Sequence, residues 1–237
     1  MTDRLLGRTA LVTGASRGIG RAVAIAMAAE GARVFGLART IDALARLSSE
    51  HGITPLPADL GDDAEVWTAI DEMMEGAGGA PDIVVNAAGV FGISACASET
   101  VRSFDDQLRV NTRGPFLVIR SVLPHMIERG SGTIVNVGSI SGRKAFPGNG
   151  AYSASKFGLR GLHEVLLEEV RGTGVRASLV EPAATDTELW DPLYPDSDPN
   201  LPNRTDMLSP EDVSEAILFV ATRPAGVTIP VLSVERG

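Results

Sequence analysis

The sequence predicts an α/β protein: one domain over residues 1–237, built on a doubly wound sheet of about seven parallel strands with helices on both faces. Three observations lead there. Short β-branched runs alternate with longer alanine-rich or amphipathic stretches, the rhythm of parallel strands joined by crossover helices. Runs such as Ile83-Val84-Val85 and Thr133-Ile134-Val135-Asn136-Val137 are apolar on both faces, as in a sheet covered on two sides. A hydrophobic content of 44% over 237 residues suits a single core.

The strands are expected at Thr9 to Val12, Arg33 to Leu37, Ile53 to Leu56, Ile83 to Asn86, Thr133 to Val137, Val175 to Val180 and Thr228 to Val234. Helices fall between them, at Ile19 to Glu30, Ile41 to Glu50, Asp63 to Glu75, Val101 to Glu128, Ala151 to Arg171 and Pro210 to Thr222. Gly31 and Gly52 stand where helix ends want a left-handed residue. The stretch 183–209 holds prolines at 192, 195, 199 and 202 and follows a strand's carboxyl end, so it reads as a mobile substrate lid without regular structure.

Composition excludes several function classes. A net charge of -9 repels nucleic acid and anionic membranes. No run of about 18 apolar residues is present to span a bilayer. The lone Cys96 cannot form an internal disulfide, and Met1-Thr2-Asp3-Arg4 does not open a secretory segment, so a soluble cytoplasmic protein is expected. His51, His125 and His163 lack ligand spacing, and no metal site is expected.

Directly after the first strand comes Thr13-Gly14-Ala15-Ser16-Arg17-Gly18-Ile19-Gly20, then an alanine-rich helix. A strand, a tight glycine turn and a helix start present free N–H groups and a positive dipole end to a pyrophosphate, the device of Rossmann-type folds. Gly14, Gly18 and Gly20 let the backbone come close. Further on, Asp59-Leu60 follows the third strand, Asn86-Ala87-Ala88-Gly89 closes the fourth, and Asn111 lies in the next helix. Ser139 ends the fifth strand, 13 residues before Tyr152, and Lys156 follows four later.

In this spacing the chain resembles the short-chain dehydrogenase/reductase family, from Arg4 to Thr187. The resemblance implies cofactor contacts at Gly14, Ser16, Arg17, Gly18, Ile19, Gly20, Asp59, Leu60, Asn86, Ala87, Gly89, Tyr152, Lys156, Pro182, Thr185 and Thr187. It implies that Asp59 meets the adenine amino group and that Asn111 distorts its helix and orders a water completing a proton relay from Lys156. Two departures are plain: Pro182-Ala183 replaces the family's Pro-Gly, and the end at Glu235-Arg236-Gly237 lacks the common Asp-Gly-Gly tail.

Charge decides the form of the nucleotide. The second strand runs out at Ala38-Arg39, where NAD enzymes place a carboxylate for the ribose hydroxyls. Arg39, with Arg17 near it, suits a 2'-phosphate instead, so NADP(H) is expected.

Tyr152 and Lys156, four apart on a helix, share one face. A free phenol, with a pKa of about 10, holds its proton too tightly for exchange at neutral pH, and a neighbouring ammonium is expected to lower that value. The chain holds only two lysines, Lys144 and Lys156, and two tyrosines, Tyr152 and Tyr194. Ser139 can donate a hydrogen bond to a substrate oxygen, with Ser141 as a secondary contact. The catalytic set is therefore Ser139, Tyr152, Lys156 and Asn111.

Ile140, Phe146 and Trp190, with Phe91, Leu189 and Tyr194, are expected to edge a mainly apolar pocket for a neutral carbonyl or secondary alcohol. Two rivals stand beside this reading. A 3-oxoacyl-[acyl-carrier-protein] reductase needs a basic groove, for which Arg102, Arg109, Arg113, Arg120, Arg129 and Arg143 are candidates. A noncatalytic NADPH-sensing module needs no Ser139, Tyr152 and Lys156. Similar proteins are usually homodimers or homotetramers.

Overall fold

The computed structural model describes residues 3–237. Seven strands, β1 (Thr9–Thr13), β2 (Arg33–Ala38), β3 (Thr54–Pro57), β4 (Ile83–Asn86), β5 (Gly132–Val137), β6 (Val175–Pro182) and β7 (Val231–Val234), form one sheet. Their order is β3-β2-β1-β4-β5-β6-β7, with every pair parallel. The chain winds outward from β1 to β3, returns to β4 on β1's other side, and continues the opposite way. That reversal opens a crevice at the carboxyl ends of β1 and β4, where ligands bind in such sheets.

Each strand divides its side chains between two cores, because successive residues point to opposite faces. Ala10 and Val12 pack on one face with α1 (Gly18–Ala29), α2 (Ile41–His51) and α7 (Pro210–Ala221), through Val23, Met27, Leu44 and Ile217. Leu11 faces the other way, against α3 (Asp63–Ala77), α5 (Gly114–Arg129) and α6 (Gly150–Glu169), through Ile70, Val118, Met126 and Leu166. Truncating a core residue such as Leu11 to alanine is expected to cost about 2–5 kcal/mol.

Three expectations are corrected. The helix expected from Val101 to Glu128 is α4 (Val101–Leu108), a five-residue π turn (Arg109–Arg113) and then α5. The wide turn centres on Asn111, whose side chain bonds across to another segment. The last strand is shorter than Thr228 to Val234, because Pro230 has no N–H for the ladder; its carbonyl still accepts from Leu179. The stretch 183–209 contains three 3-10 turns, Glu188–Leu193, Pro195–Ser197 and Arg204–Asp206, since proline forbids long helices but tolerates single turns. A bridge between Thr185 and Leu208 closes its base. Among the described residues no helix is long and apolar enough to cross a membrane.

Candidate active site

The glycine turn is built from backbone. Gly14 and Ala15 donate to Leu37 O at 2.8 and 3.2 Å, and Thr13 Oγ1 accepts from the N–H groups of Ala87 and Ala88. No side chain fits inside. A Cβ on Gly14 would lie 2.7 Å from Ala88 Cα, and one on Gly20 would lie 2.2 Å from Gly14 O.

The turn delivers the start of α1 to the crevice without a side-chain cap, and no acidic residue stands in its first turn. Its leading N–H groups and dipole are thus left to an external anion. With arginines beside them, they fit a dinucleotide's phosphates.

Gly14, Ser16, Arg17, Gly18, Ile19, Gly20, Arg39, Asp59, Leu60, Ala87, Gly89 and Thr187 line one cleft, as the sequence leads one to expect. Arg39 Nη1 lies 3.6 Å from Asp59 Oδ2, and Asp59 Oδ1 accepts from Gly61 N at 2.8 Å. Val90, Val110, Glu188 and Leu189 also line the cleft. Val90, Val110 and Glu188 escaped sequence reading because their places depend on tertiary approach rather than on a motif, and Leu189, expected at the substrate pocket, lies in this cleft instead.

Asn86, Pro182 and Thr185 stand outside this lining. Pro182 ends β6 buried, and Thr185 Oγ1 donates to Ala183 O at the base of the loop. Asn86 is buried in the sheet and starts a polar ladder. Its Nδ2 donates to Asn136 Oδ1 at 2.9 Å, Asn136 Nδ2 reaches His163 Nδ1 at 3.4 Å, and His163 Nε2 meets Pro230 O at 2.9 Å. Burial pulls the His163 pKa down, so the neutral ring donates through Nε2 and accepts at Nδ1.

Ser139, Tyr152 and Lys156 converge at the carboxyl end of β5. Ser139 opens a 3-10 turn (Ile140–Gly142), with its Oγ accepting from Ser141 N at 3.1 Å, and its side chain is near enough to Tyr152 to pull the phenol's pKa down. Lys156 Nζ donates to Val137 O at 2.9 Å and stands 5.7 Å from the centre of the Tyr152 ring.

The expected acidic phenol is not what the protein alone presents. Burial pushes Tyr152 up to about 12, only partly offset by the nearby Ser139 side chain, and burial lowers Lys156 to about 8. Desolvation opposes the charged form of each group, and it is the largest influence on both.

Asn111 is fully buried and fully engaged. Its Oδ1 accepts from Val90 N, while its Nδ2 donates to Val90 O and Ser155 Oγ, at 2.8, 2.9 and 3.0 Å. Ser155 Oγ in turn donates to Tyr152 O. Asn111 therefore joins the cleft wall to the catalytic helix and makes no hydrogen bond to Lys156.

On the substrate side, Phe91 meets both Tyr152 and Trp190 edge-on, with centroids 4.7 and 5.0 Å apart. Trp190 thus links the loop to Tyr152 through Phe91. Ile140 lies on the turn after Ser139, and Phe146 sits beneath Lys144 Nζ at 5.3 Å. Leu189 joins the nucleotide cleft, and Tyr194 is 73% exposed, outside the aromatic cluster.

Comparisons with known proteins agree with this geometry. Residues 8–198 match the family model described as short chain dehydrogenase. A D-threitol dehydrogenase of Mycolicibacterium smegmatis is 36% identical over 94% of this chain and 89% of its own length. A glycine betaine reductase of Emericella nidulans is 35% identical over 98% of this chain, which spans only 19% of that longer protein. A solved metagenomic short-chain oxidoreductase in complex with NADP has a TM-score of 0.84 at 29% identity, covering 99% of both chains. A glycine turn with an uncapped helix start, a serine, tyrosine and lysine gathered beside it, and a family match over most of the length lead to one conclusion: this chain belongs to the short-chain dehydrogenase family, oxidoreductases that act on alcohol and carbonyl carbons with a nicotinamide cofactor.

Proposed function

We propose that this protein is an NADP(H)-dependent oxidoreductase acting on a neutral, moderately hydrophobic carbonyl or secondary alcohol. The observation that carries the reading is Lys156 buried one helical turn from Tyr152, 5.7 Å from its ring, with Ser139 beside the phenol at the crevice end of β5. Bound nicotinamide supplies or accepts the hydride. Ser139 donates a hydrogen bond to the substrate oxygen and holds it against Tyr152 Oη. Tyr152 gives its proton in reduction and takes it back in oxidation. A phenol at about 12 needs a positive neighbour to release its proton, and the Lys156 ammonium is that neighbour, as well as the group that holds the nicotinamide ribose hydroxyls. Asn111 supports the relay by fixing the segments on either side of it.

Arg39 and Arg17 on the cleft wall, with an arginine rather than a carboxylate directly after β2, favour the 2'-phosphate. The structural relative solved with NADP supports the same choice. Arg39→Asp is expected to weaken NADPH binding by about tenfold to a hundredfold, from the loss of a charge-assisted contact and a new repulsion. Unchanged affinity refutes the NADP(H) assignment.

Carrier-bound substrate is the weaker reading, because the arginines that would form its groove face acids. Arg109 pairs with Asp106, Arg113 with Asp63 and Arg143 with Glu181 and Glu235. The loop 183–209 acts as the lid, carrying Trp190 to the substrate. Exposed Phe116, Phe157 and Val165 on α5 and α6 fit association into a homodimer or homotetramer, and the single cysteine fits a reducing cytoplasm. The test is a panel of neutral ketones, acidic ketones and carrier-bound 3-oxoacyl thioesters, followed by NADPH absorbance. Neutral ketones are expected to react fastest. Tight NADPH binding with no turnover on any of them favours the sensing module instead.

A further inference from the structure

A charged residue outside the proton relay lies directly behind it. Glu181, the next-to-last residue of β6, is 1% exposed. Its Oε1 accepts from Arg160 Nη1 at 2.7 Å, and Arg143 Nε stands 3.4 Å from its Oε2. Arg160 lies one turn beyond Lys156 on α6, and Arg143 directly follows the 3-10 turn that Ser139 opens. A Cβ on Gly138 would come 3.3 Å from Glu181 Cγ, so the side chain also packs against the strand end just before Ser139.

Stability alone does not call for a carboxylate here. Taking an ion out of water costs several kcal/mol, and a well-packed apolar residue in place of a buried pair is often neutral or stabilising. What the carboxylate adds is direction, because Arg160 meets it in a charge-assisted hydrogen bond while Arg143 attracts its second oxygen, which has no hydrogen bond of its own. We infer that Glu181 is the positioning residue of the active site: through Arg160 and Arg143 it fixes the Tyr152–Lys156 helix against the Ser139 turn, and so sets how Ser139 stands to Tyr152. The carriers of three catalytic side chains meet on one buried anion. Small misplacements of such groups, about 1 Å, cost about a hundredfold in rate.

The test is Glu181→Gln, which keeps the shape and removes the charge. Its kcat is expected to fall tenfold or more, while the NADPH dissociation constant stays within twofold. Backbone hydrogen exchange is expected to quicken in 138–146 and 150–160 and to hold elsewhere. A purely structural role lowers the melting temperature and leaves kcat per folded site unchanged; wild-type kcat together with wild-type exchange in these segments overturns the inference. Should this variant not fold, Arg143→Gln, altering a side chain 40% exposed, carries the same two readouts with a smaller fall. The inference rests on the reading of Ser139, Tyr152 and Lys156 above, and the two fail differently. Turnover surviving in Tyr152→Phe sinks that reading, whereas the exchange measurement judges Glu181 whatever the reaction proves to be.

Discussion

The glycine turn and the loop 183–209 form two walls of one cleft, yet they are held by opposite means. The turn is fixed by backbone hydrogen bonds into the sheet, and atoms crowd so close to it that no side chain fits. The loop's two arms are joined by backbone bonds only at the base, Asp186 N to Leu208 O and Leu208 N to Ala184 O, and farther out they are cross-linked mainly by one side chain: Arg204 bonds Asp186, Asp191 and the carbonyl of Thr187. Backbone construction gives a rigid phosphate seat. Side-chain construction gives a wall that one substitution or added salt can loosen.

Substitutions in the two walls should therefore fail differently. The largest effect is expected from Gly20→Val, because its Cβ would meet Gly14 O at 2.2 Å and neither backbone can yield cheaply. NADPH affinity is expected to fall more than a hundredfold, read by fluorescence titration, with a loss of about 1–3 kcal/mol in denaturant unfolding. Arg204→Gln is expected to raise the ketone KM about tenfold and to leave the NADPH dissociation constant within twofold. An equal loss of NADPH affinity in both variants would erase the distinction between the walls.

Between these lies a pH effect seated at neither wall. Lys156 loses its proton at about 8 in the folded chain, so kcat/KM is expected to fall tenfold per pH unit above that point. Stability moves the other way. Below pH 8 the lysine is charged whether folded or unfolded, and its burial cost is felt in full. From 8 toward its usual 10.5 the unfolded chain keeps a proton that the folded chain has lost, and stability climbs by at most about 3 kcal/mol. Above 10 the unfolded chain ionises Tyr152 while the folded chain resists to about 12, and stability declines again. Activity and stability that fell together above pH 8 would place the titrating group elsewhere.

The same contrast explains what the sequence disclosed. The glycine turn was readable because its geometry demands a residue type at each place, as did the apolar alternation of Leu11 and Val12 between two cores. Ser139, Tyr152 and Lys156 were readable through spacing. The acidic phenol was misjudged because spacing shows which charges are near but not how much water is excluded. Glu181, His163 and Asn136 stayed silent for a related reason: their partners come from distant segments, and only packing brings them together. The break at Asn111 was implied by resemblance alone, since nothing local in Arg109–Arg113 announces a π turn.

The central claim is that Tyr152 delivers the proton that accompanies hydride transfer. The most direct measurement follows deuterium from C4-labelled NADPH to the carbinol carbon of a reduced ketone, in the wild type and in Tyr152→Phe. The account predicts label transfer in the wild type, and in the variant a rate about 10²–10⁴ lower with NADPH still bound. Label transfer at the wild-type rate in Tyr152→Phe would contradict it.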